Sequence, residues 1–312
     1  MTKGIVLLAF GKRGYGFAAY NLAVSIRAFN NTIPITIYKD NIAFSQMEES
    51  KMSIFTEVRE LQDELMYNEW KFDPGYTKTR LYELYPYDLN LYLDVDALCL
   101  KDIAPLFDIM EKKPDYFYTH IIAKHTIDQG RDFKSMQWAW ADEIWKHFNL
   151  KPDDVFYATN SSYQIVRKGK QAKKFYAQIQ KNYMNPIPID KLRMKWGGGQ
   201  PDELYMNAAL CQLKIPAEMD TDVMFFGGDL KHTFTEIENK FFFLSMYGAG
   251  FANVSTTKLK YREWYDRLLQ QHFRNRGEGH IYKSQYIMVD KHPNHRKPPI
   301  MKKYEKQKAK ES

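Results

Sequence analysis

The sequence contains only two cysteines among 312 residues, Cys99 and Cys211, and both lie within apolar runs. So few cysteines exclude a disulfide framework or a cysteine-rich metal site, and they favour a reducing compartment. No stretch approaches the ~20 consecutive apolar residues that a membrane-spanning helix needs. The apolar run in MTKGIVLLAFG is short for a secretory signal, and no small-residue cleavage site follows it. We therefore expect a soluble, cytoplasmic protein.

Net positive charge is scarce outside the C-terminal segment, although the formal net charge of the chain is +7. Residues 291–312 contain eight Lys or Arg and two Glu, a net charge of +6, which leaves +1 for residues 1–290. A nearly neutral body disfavours nucleic-acid binding as the main function. The basic segment is either a solvated extension or a contact for an anionic surface such as nucleic acid or membrane.

The N-terminal segment predicts a βαβ unit. GIVLLAF (Gly4–Phe10) is a continuous apolar run, which is typical of a strand buried on both faces. A glycine-rich loop follows, and IPITIYKD reads as a second strand. Between them, helical spacing predicts an amphipathic helix from Ala19, Leu22, Ala23, Ile26 and Phe29. A strand, helix and strand within about forty residues imply a parallel pair with a right-handed crossover.

The rest of the chain continues as one α/β domain. A mostly helical segment is predicted for Ser45–Tyr87, broken by FDPGYT. Further strands are predicted in LNLYLDVD, PDYFYTH (Pro114–His120), SSYQIVRKG (Ser161–Gly169) and KFFFLSMY, and helices in ELYMNAALCQL (Glu203–Leu213) and Tyr261–Phe273. Prolines within the basic run mark the end of compact structure. We predict a single domain over residues 1–285 and a basic tail over 286–312.

The first loop carries a weak motif. Its glycines, Gly11, Gly14 and Gly16, are spaced G-x-x-G-x-G, which matches neither the dinucleotide fingerprint nor the P-loop. The loop is either a flexible strand-to-helix turn or a place where a nucleotide approaches the carboxyl end of the sheet.

Asp94 and Asp96 carry the strongest chemical signal, because they directly follow the apolar run LNLYL. In an extended segment, residues two apart project to the same face, so both carboxylates converge on one point. Two like charges so close repel, and burying them unpaired is costly, so a cation is expected beside them. Oxygen ligands at a strand end suit Mg²⁺ or Mn²⁺, particularly an ion that also holds a diphosphate.

The surrounding segment, KTRLYELYPYDLNLYLDVDALCLKDIAPLFD (Lys78–Asp108), resembles the central signature of nucleotide-sugar glycosyltransferases with the GT-A fold. It is most similar to family eight, the glycogenin and bacterial galactosyltransferase group. The looser resemblance of the outer pieces extends over roughly residues 4–285. It implies a Rossmann-like mixed sheet flanked by helices. The implied activity is metal-dependent transfer of a sugar from a nucleotide-diphosphate sugar, a UDP-sugar first of all, to an acceptor hydroxyl.

The resemblance also implies roles for individual residues. Asp94 and Asp96 would chelate Mn²⁺ or Mg²⁺ on the donor diphosphate, and Lys78 and Arg80 would face the donor. ATNSSYQIVRKG resembles a strand that brings Asn160 and Ser161 to the sugar. GGGQPDELYMNAAL resembles the acceptor-side D-Q-D-x-x-N block. Asp202 and Asn207 match its first Asp and its Asn, while Glu203 stands where the family has Gln. Asp202 and Glu203 are therefore the candidate catalytic pair, and a carboxylate at Glu203 leaves retention and inversion of the anomeric centre both open.

The family's third metal ligand, a His in H-x-x-G-x-x-K, has no counterpart string. His280 is the candidate for this ligand, because it lies late in the chain and Lys283 follows it by three residues, and His232 is the alternative. A haloacid-dehalogenase phosphatase also uses D-x-D, but Leu98 stands where that motif needs Thr or Val. A further alternative is a phage-type DNA glycosyltransferase that modifies a hydroxylated base, with the basic tail binding DNA.

Overall fold

The computed structural model describes residues 1–11, 13–45, 47–68, 71–113, 116–127, 138–192, 200–216, 222–226 and 233–245. Its strands are β1 (Lys3–Ala9), β2 (Ile35–Lys39), β3 (Glu57–Glu60), β4 (Tyr67–Asn68), β5 (Lys71–Phe72), β6 (Leu89–Leu93), β7 (Ala97–Cys99), β8 (Phe117–Thr126), β9 (Val155–Arg167), β10 (Met224–Phe225) and β11 (Phe243–Ser245).

Its α-helices are α1 (Arg13–Phe29), α2 (Asp63–Met66), α3 (Pro74–Thr79), α4 (Leu81–Leu84), α5 (Ala104–Lys112), α6 (Ala141–Phe148), α7 (Lys170–Tyr183), α8 (Asp202–Gln212) and α9 (Phe234–Lys240). Two 3₁₀ turns cover Glu49–Ile54 and Ile189–Lys191. None of the helices in the described ranges is both long and apolar enough to cross a membrane.

The central sheet has six strands in the order β3-β2-β1-β6-β9-β8. The first four run parallel, whereas β9 is antiparallel to β6 and β8 is antiparallel to β9. The expected mixed α/β sheet flanked by helices is therefore confirmed, including the parallel β1–β2 pair. Because parallel strands end at the same edge, the residues that follow β1, β2 and β6 lie together at one side of the molecule.

β1 shows how the sheet divides the core into two layers. Ile5, Leu7 and Ala9 pack with α1 on one face, the α1 face, and Val6 and Leu8 pack with α7 and α8 on the other, the α8 face. Ile5, Val6, Leu7 and Ala9 have no exposed surface and Leu8 has little. Burial on both faces explains why the strand is a continuous apolar run rather than an alternating one.

The prediction of a mostly helical segment over Ser45–Tyr87 was wrong in part. The segment contains the edge strand β3 and the small β4–β5 hairpin as well as short helices. In β3, EVRE, Val58 is the one apolar residue and it is 38% exposed, so no period-2 pattern marks the strand. Its pairing with β2 decides its conformation. The helix predicted over Tyr261–Phe273 lies outside the described residues.

Candidate active site

β6 delivers the D-V-D motif to the edge of the central sheet. Leu89, Leu91 and Leu93 pack on the α1 face, and Val95 continues this series. Tyr92 lies on the α8 face, and its hydroxyl donates to Asp94 Oδ1 at 2.6 Å. The chain then enters β7, which belongs to the separate three-stranded sheet β10-β11-β7. The two aspartates thus occupy the passage between two sheets, where both remain half-buried.

Lys78 reaches Asp94 from α3. This short helix begins with Pro74, and the Asp73 side chain caps it by accepting the Tyr76 N–H at 3.2 Å. The Tyr183 hydroxyl of α7 donates to the same carboxylate at 2.7 Å, which ties α3 to the neighbouring helix. Lys78 Nζ lies 2.9 Å from Asp94 Oδ1 and 3.0 Å from Oδ2. The cation expected beside the aspartates is therefore, for Asp94, a lysine of the chain itself.

A second pair of carboxylates enters from α8. Asp202 and Glu203 form its first turn, where the positive end of the helix dipole favours acidic side chains. Ser161 Oγ donates to Asp202 Oδ2 at 2.7 Å and lies 3.3 Å from Glu203 Oε1. Lys78 Nζ lies 3.4 Å from Ser161 Oγ and 4.0 Å from Asp202 Oδ2. Lys78, Asp94, Ser161, Asp202 and Glu203 thus form one connected polar cluster.

The cluster holds more negative than positive charge. Burial raises the pKa of Glu203 to about 8, and the charge of Asp202 adds to this effect. Burial, with the charge of Asp94, raises the pKa of Asp96 to about 6. Burial disfavours the Lys78 ammonium, but the facing carboxylates, Asp94 first, outweigh it and hold its pKa well above the ordinary value. Lys78 is therefore the charged cation of the cluster, and burial favours the protonated form of Glu203.

The residues present fit a divalent cation in part. Asp94 and Asp96 offer carboxylate oxygens, the ligands that Mg²⁺ and Mn²⁺ prefer. The surplus of carboxylates over ammonium groups also favours a cation. Across the described ranges, no three His, Cys, Asp or Glu side chains converge as a complete metal site. The remaining predicted ligands, His280 and the alternative His232, lie outside those ranges, as do Lys283 and the basic segment 286–312.

The structure does not bring Arg80 into the cluster. Its guanidinium pairs with both carboxylate oxygens of Glu83, at 2.6 and 2.8 Å, and donates to the carbonyl of Glu64. Asn160 lies next to Ser161, but its Oδ1 accepts the Ser162 N–H at 2.9 Å and so braces the backbone.

Two tyrosines near the cluster had not been predicted. Tyr92 stands two residues before Asp94 on β6, so strand alternation alone places both on one face. Tyr15 of α1 is the second. Its burial, with the charges of Asp96 and Asp94, raises its pKa. No sequence pattern signals Tyr15.

Comparison with models of protein families finds no match. Comparison with curated proteins likewise finds none. Among solved structures, the chain is similar to the bifunctional glycosyltransferase WbbM in its apo form, with a TM-score of 0.55 and 12% identity over 88% of this chain and 51% of that one. It is also similar to the galactosyltransferase LgtC in complex with donor and acceptor sugar analogs, with a TM-score of 0.55 and 14% identity over 87% and 99%.

A third similar structure is the apo glycosyltransferase GlyE from Streptococcus pneumoniae TIGR4, with a TM-score of 0.50 and 14% identity over 89% and 65%. The chain spans about half the length of WbbM and nearly all of LgtC. These similarities establish the GT-A fold that the D-V-D segment predicted.

Proposed function

We propose that the chain is a glycosyltransferase that moves a sugar from a nucleotide-diphosphate sugar to an acceptor hydroxyl, with a UDP-sugar as the first donor to test. The observation that carries this proposal is the polar cluster at the carboxyl end of β6, where Asp94, Lys78, Ser161, Asp202 and Glu203 converge. LgtC, which shares the fold, was solved with donor and acceptor sugar analogs.

Residues at the end of β6 and on α3 would bind the donor. The leaving group is a nucleoside diphosphate, whose negative charge grows as the glycosidic bond breaks. The half-buried Lys78 ammonium can stabilise that charge. Asp94 and Asp96 would hold Mn²⁺ or Mg²⁺, which supplies Lewis-acid stabilisation of the same diphosphate.

Residues in the first turn of α8 would bind the acceptor. Asp202 is the candidate acceptor of a hydrogen bond from the incoming hydroxyl, because burial raises the pKa of Glu203 and favours its protonated form. Protonated Glu203 can donate a hydrogen bond to the sugar or to the acceptor. Ser161 links the two carboxyl groups and fixes their spacing.

The proposal is tested first by thermal shift with a panel of nucleoside diphosphates and nucleotide sugars, each with and without Mn²⁺. A ligand that binds only the folded state raises its melting temperature. We expect one nucleotide to give a shift that requires Mn²⁺, and its sugar to be transferred in the matching assay.

Asp94→Asn and Asp96→Asn should then abolish both the Mn²⁺-dependent shift and the transfer. Asp108→Asn is the matched control, because Asp108 is 60% exposed and pairs with Lys3 on the surface. Undiminished, metal-independent transfer by either test variant would sink the assignment.

A further inference from the structure

β9 contains an irregularity beside the polar cluster. In the β8–β9 ladder, Thr119 pairs with Gln164, but the next residue, His120, pairs with Asn160. Residues 161–163 of β9 therefore have no partner on β8. This bulge departs from regular pairing at the point where Ser161 meets Asp202. Bulges of this kind often redirect a side chain next to an active site.

The Thr119 side chain spans the bulge. Its Oγ1 lies 2.9 Å from the carbonyl oxygen of Asn160 and 2.9 Å from that of Tyr163. These two residues flank the 161–162 pair, so one hydroxyl proton is shared between the two ends of the bulge. Thr119 has no exposed surface. A buried hydroxyl needs a partner, and here both available partners belong to the bulge.

The bulge in turn fixes two members of the cluster. Ser161 projects from it to Asp202, at 2.7 Å between Oγ and Oδ2. The carbonyl of Ser162 accepts the backbone N–H of Asp94 at 2.8 Å, which continues the β6–β9 ladder by one residue. A shift of the bulge would therefore move a group on the donor side and a group on the acceptor side together.

We propose that Thr119 is a positioning residue of the active site, whose hydroxyl holds the β9 bulge and thereby places Ser161 and Asp94. This inference rests on the proposed glycosyl transfer for its catalytic consequence, and on the geometry alone for its structural part. Thr119 contacts neither a carboxylate nor Lys78 through any hydrogen bond in the described structure. It acts through Ser161 and Ser162.

The test compares Thr119→Val, which keeps the shape and removes the donor, with Thr119→Ser, which keeps the donor. Thr36→Val is the matched control, because Thr36 is a fully buried strand threonine whose hydroxyl bonds to Tyr87 at 2.7 Å, away from the cluster. If Thr119→Val does not fold, Thr119→Cys replaces it, since a thiol is a weak donor of similar size.

In the transfer assay, we expect Thr119→Val to lower kcat roughly 10- to 100-fold, because small misplacements of reacting groups have effects of this size. KM for the donor should change less than threefold, and Thr119→Ser should restore kcat to within about threefold of wild type. The combined loss of kcat in the Thr119→Val/Ser161→Ala double variant should be smaller than the product of the two single losses, because part of the Thr119 effect passes through Ser161. A wild-type kcat for Thr119→Val, or additive losses in the double variant, would overturn the proposal.

Amide hydrogen exchange provides a readout that does not need activity. Thr119→Val should speed exchange in peptides that cover residues 92–96 and 159–163, whereas Thr36→Val should not. If the wild type transfers no sugar, the proposed function fails and exchange alone decides the structural part. Unchanged protection in both peptides would refute the role of Thr119 whatever the activity of the protein.

Discussion

Replacing Lys78 by Met should destabilise the fold through the charges it leaves behind. Its Nζ lies 2.9 Å from Asp94 Oδ1, and at an effective dielectric constant of about 20 the Coulomb attraction is about 6 kcal/mol before desolvation. The two side chains keep 21% and 23% exposure, so solvent screens part of it. Loss of one partner of a fully buried pair costs about 3–5 kcal/mol, and we expect about 2–3 kcal/mol here.

A double-mutant cycle measures the pair itself. Asp94→Asn should cost less, about 1–2 kcal/mol, because Lys78 keeps Asp202 at 4.0 Å and the amide still accepts from Tyr92. Urea unfolding at pH 7 of the wild type, both single variants and the double variant should give a coupling energy of about 1.5 kcal/mol between Lys78 and Asp94. This coupling energy should persist in 0.5 M NaCl, because salt at that concentration strongly screens only exposed ion pairs. Lys3→Met, which breaks an exposed pair with Asp108, should cost under about 1 kcal/mol. A coupling below about 0.5 kcal/mol would refute the reasoning.

Two further substitutions test the electrostatics and the backbone around the site. The pKa of Glu203, about 8, exceeds its ordinary value of 4.5, so the folded state holds a proton that the unfolded state has lost between these pH values. As the pH rises from 4.5 to 8, the free energy of unfolding of the wild type should therefore fall relative to that of Glu203→Gln, by at most about 1.4 kcal/mol per pH unit. Urea unfolding of both proteins at pH 5.5, 7 and 8.5 measures this difference. A difference that stays constant with pH would contradict the reasoning. Gly11→Ala should lower the melting temperature, because Gly11 has φ +78° and an added Cβ would lie 2.3 Å from the Phe72 ring. Gly169→Ala is the control, because a Cβ added there would meet no other atom within 4 Å. Equal changes in melting temperature for the two variants would contradict the reasoning.

The βαβ start and the D-V-D edge could be predicted because both follow from local pattern. A strand buried on two faces is a continuous apolar run, as in β1, and the apolar run of β6 predicts that Asp94 follows a buried strand at the edge of the sheet. The same reasoning does not separate Lys78 from Arg80. Lys78 lies on α3, whereas Arg80 lies just beyond the end of that helix and pairs with Glu83 and with the carbonyl of Glu64.

The bulge and its brace could not be predicted, because they depend on pairing between segments distant in sequence. Thr119 and Tyr163 are 44 residues apart, and a threonine in a strand is an ordinary β-former with no local mark of its role. The register shift that leaves Ser161 without a partner on β8 arises only when β8 and β9 pair. Edge strand β3 is similar, since its four residues gain their conformation from β2.

The direction of the two aspartates is set by packing on the opposite face of the sheet. Leu93 and Val95 are buried on the α1 face, at 0% and 6% exposure, and they hold the register of the chain as it leaves β6. A slip of one residue would turn Asp94 and Asp96 into that apolar layer and Val95 out of it. The cost of burying two unpaired carboxylates forbids the slip, so the core and the charges enforce the same register. Asp94 and Asp96 are thus held at the edge of the sheet by the apolar residues before and between them.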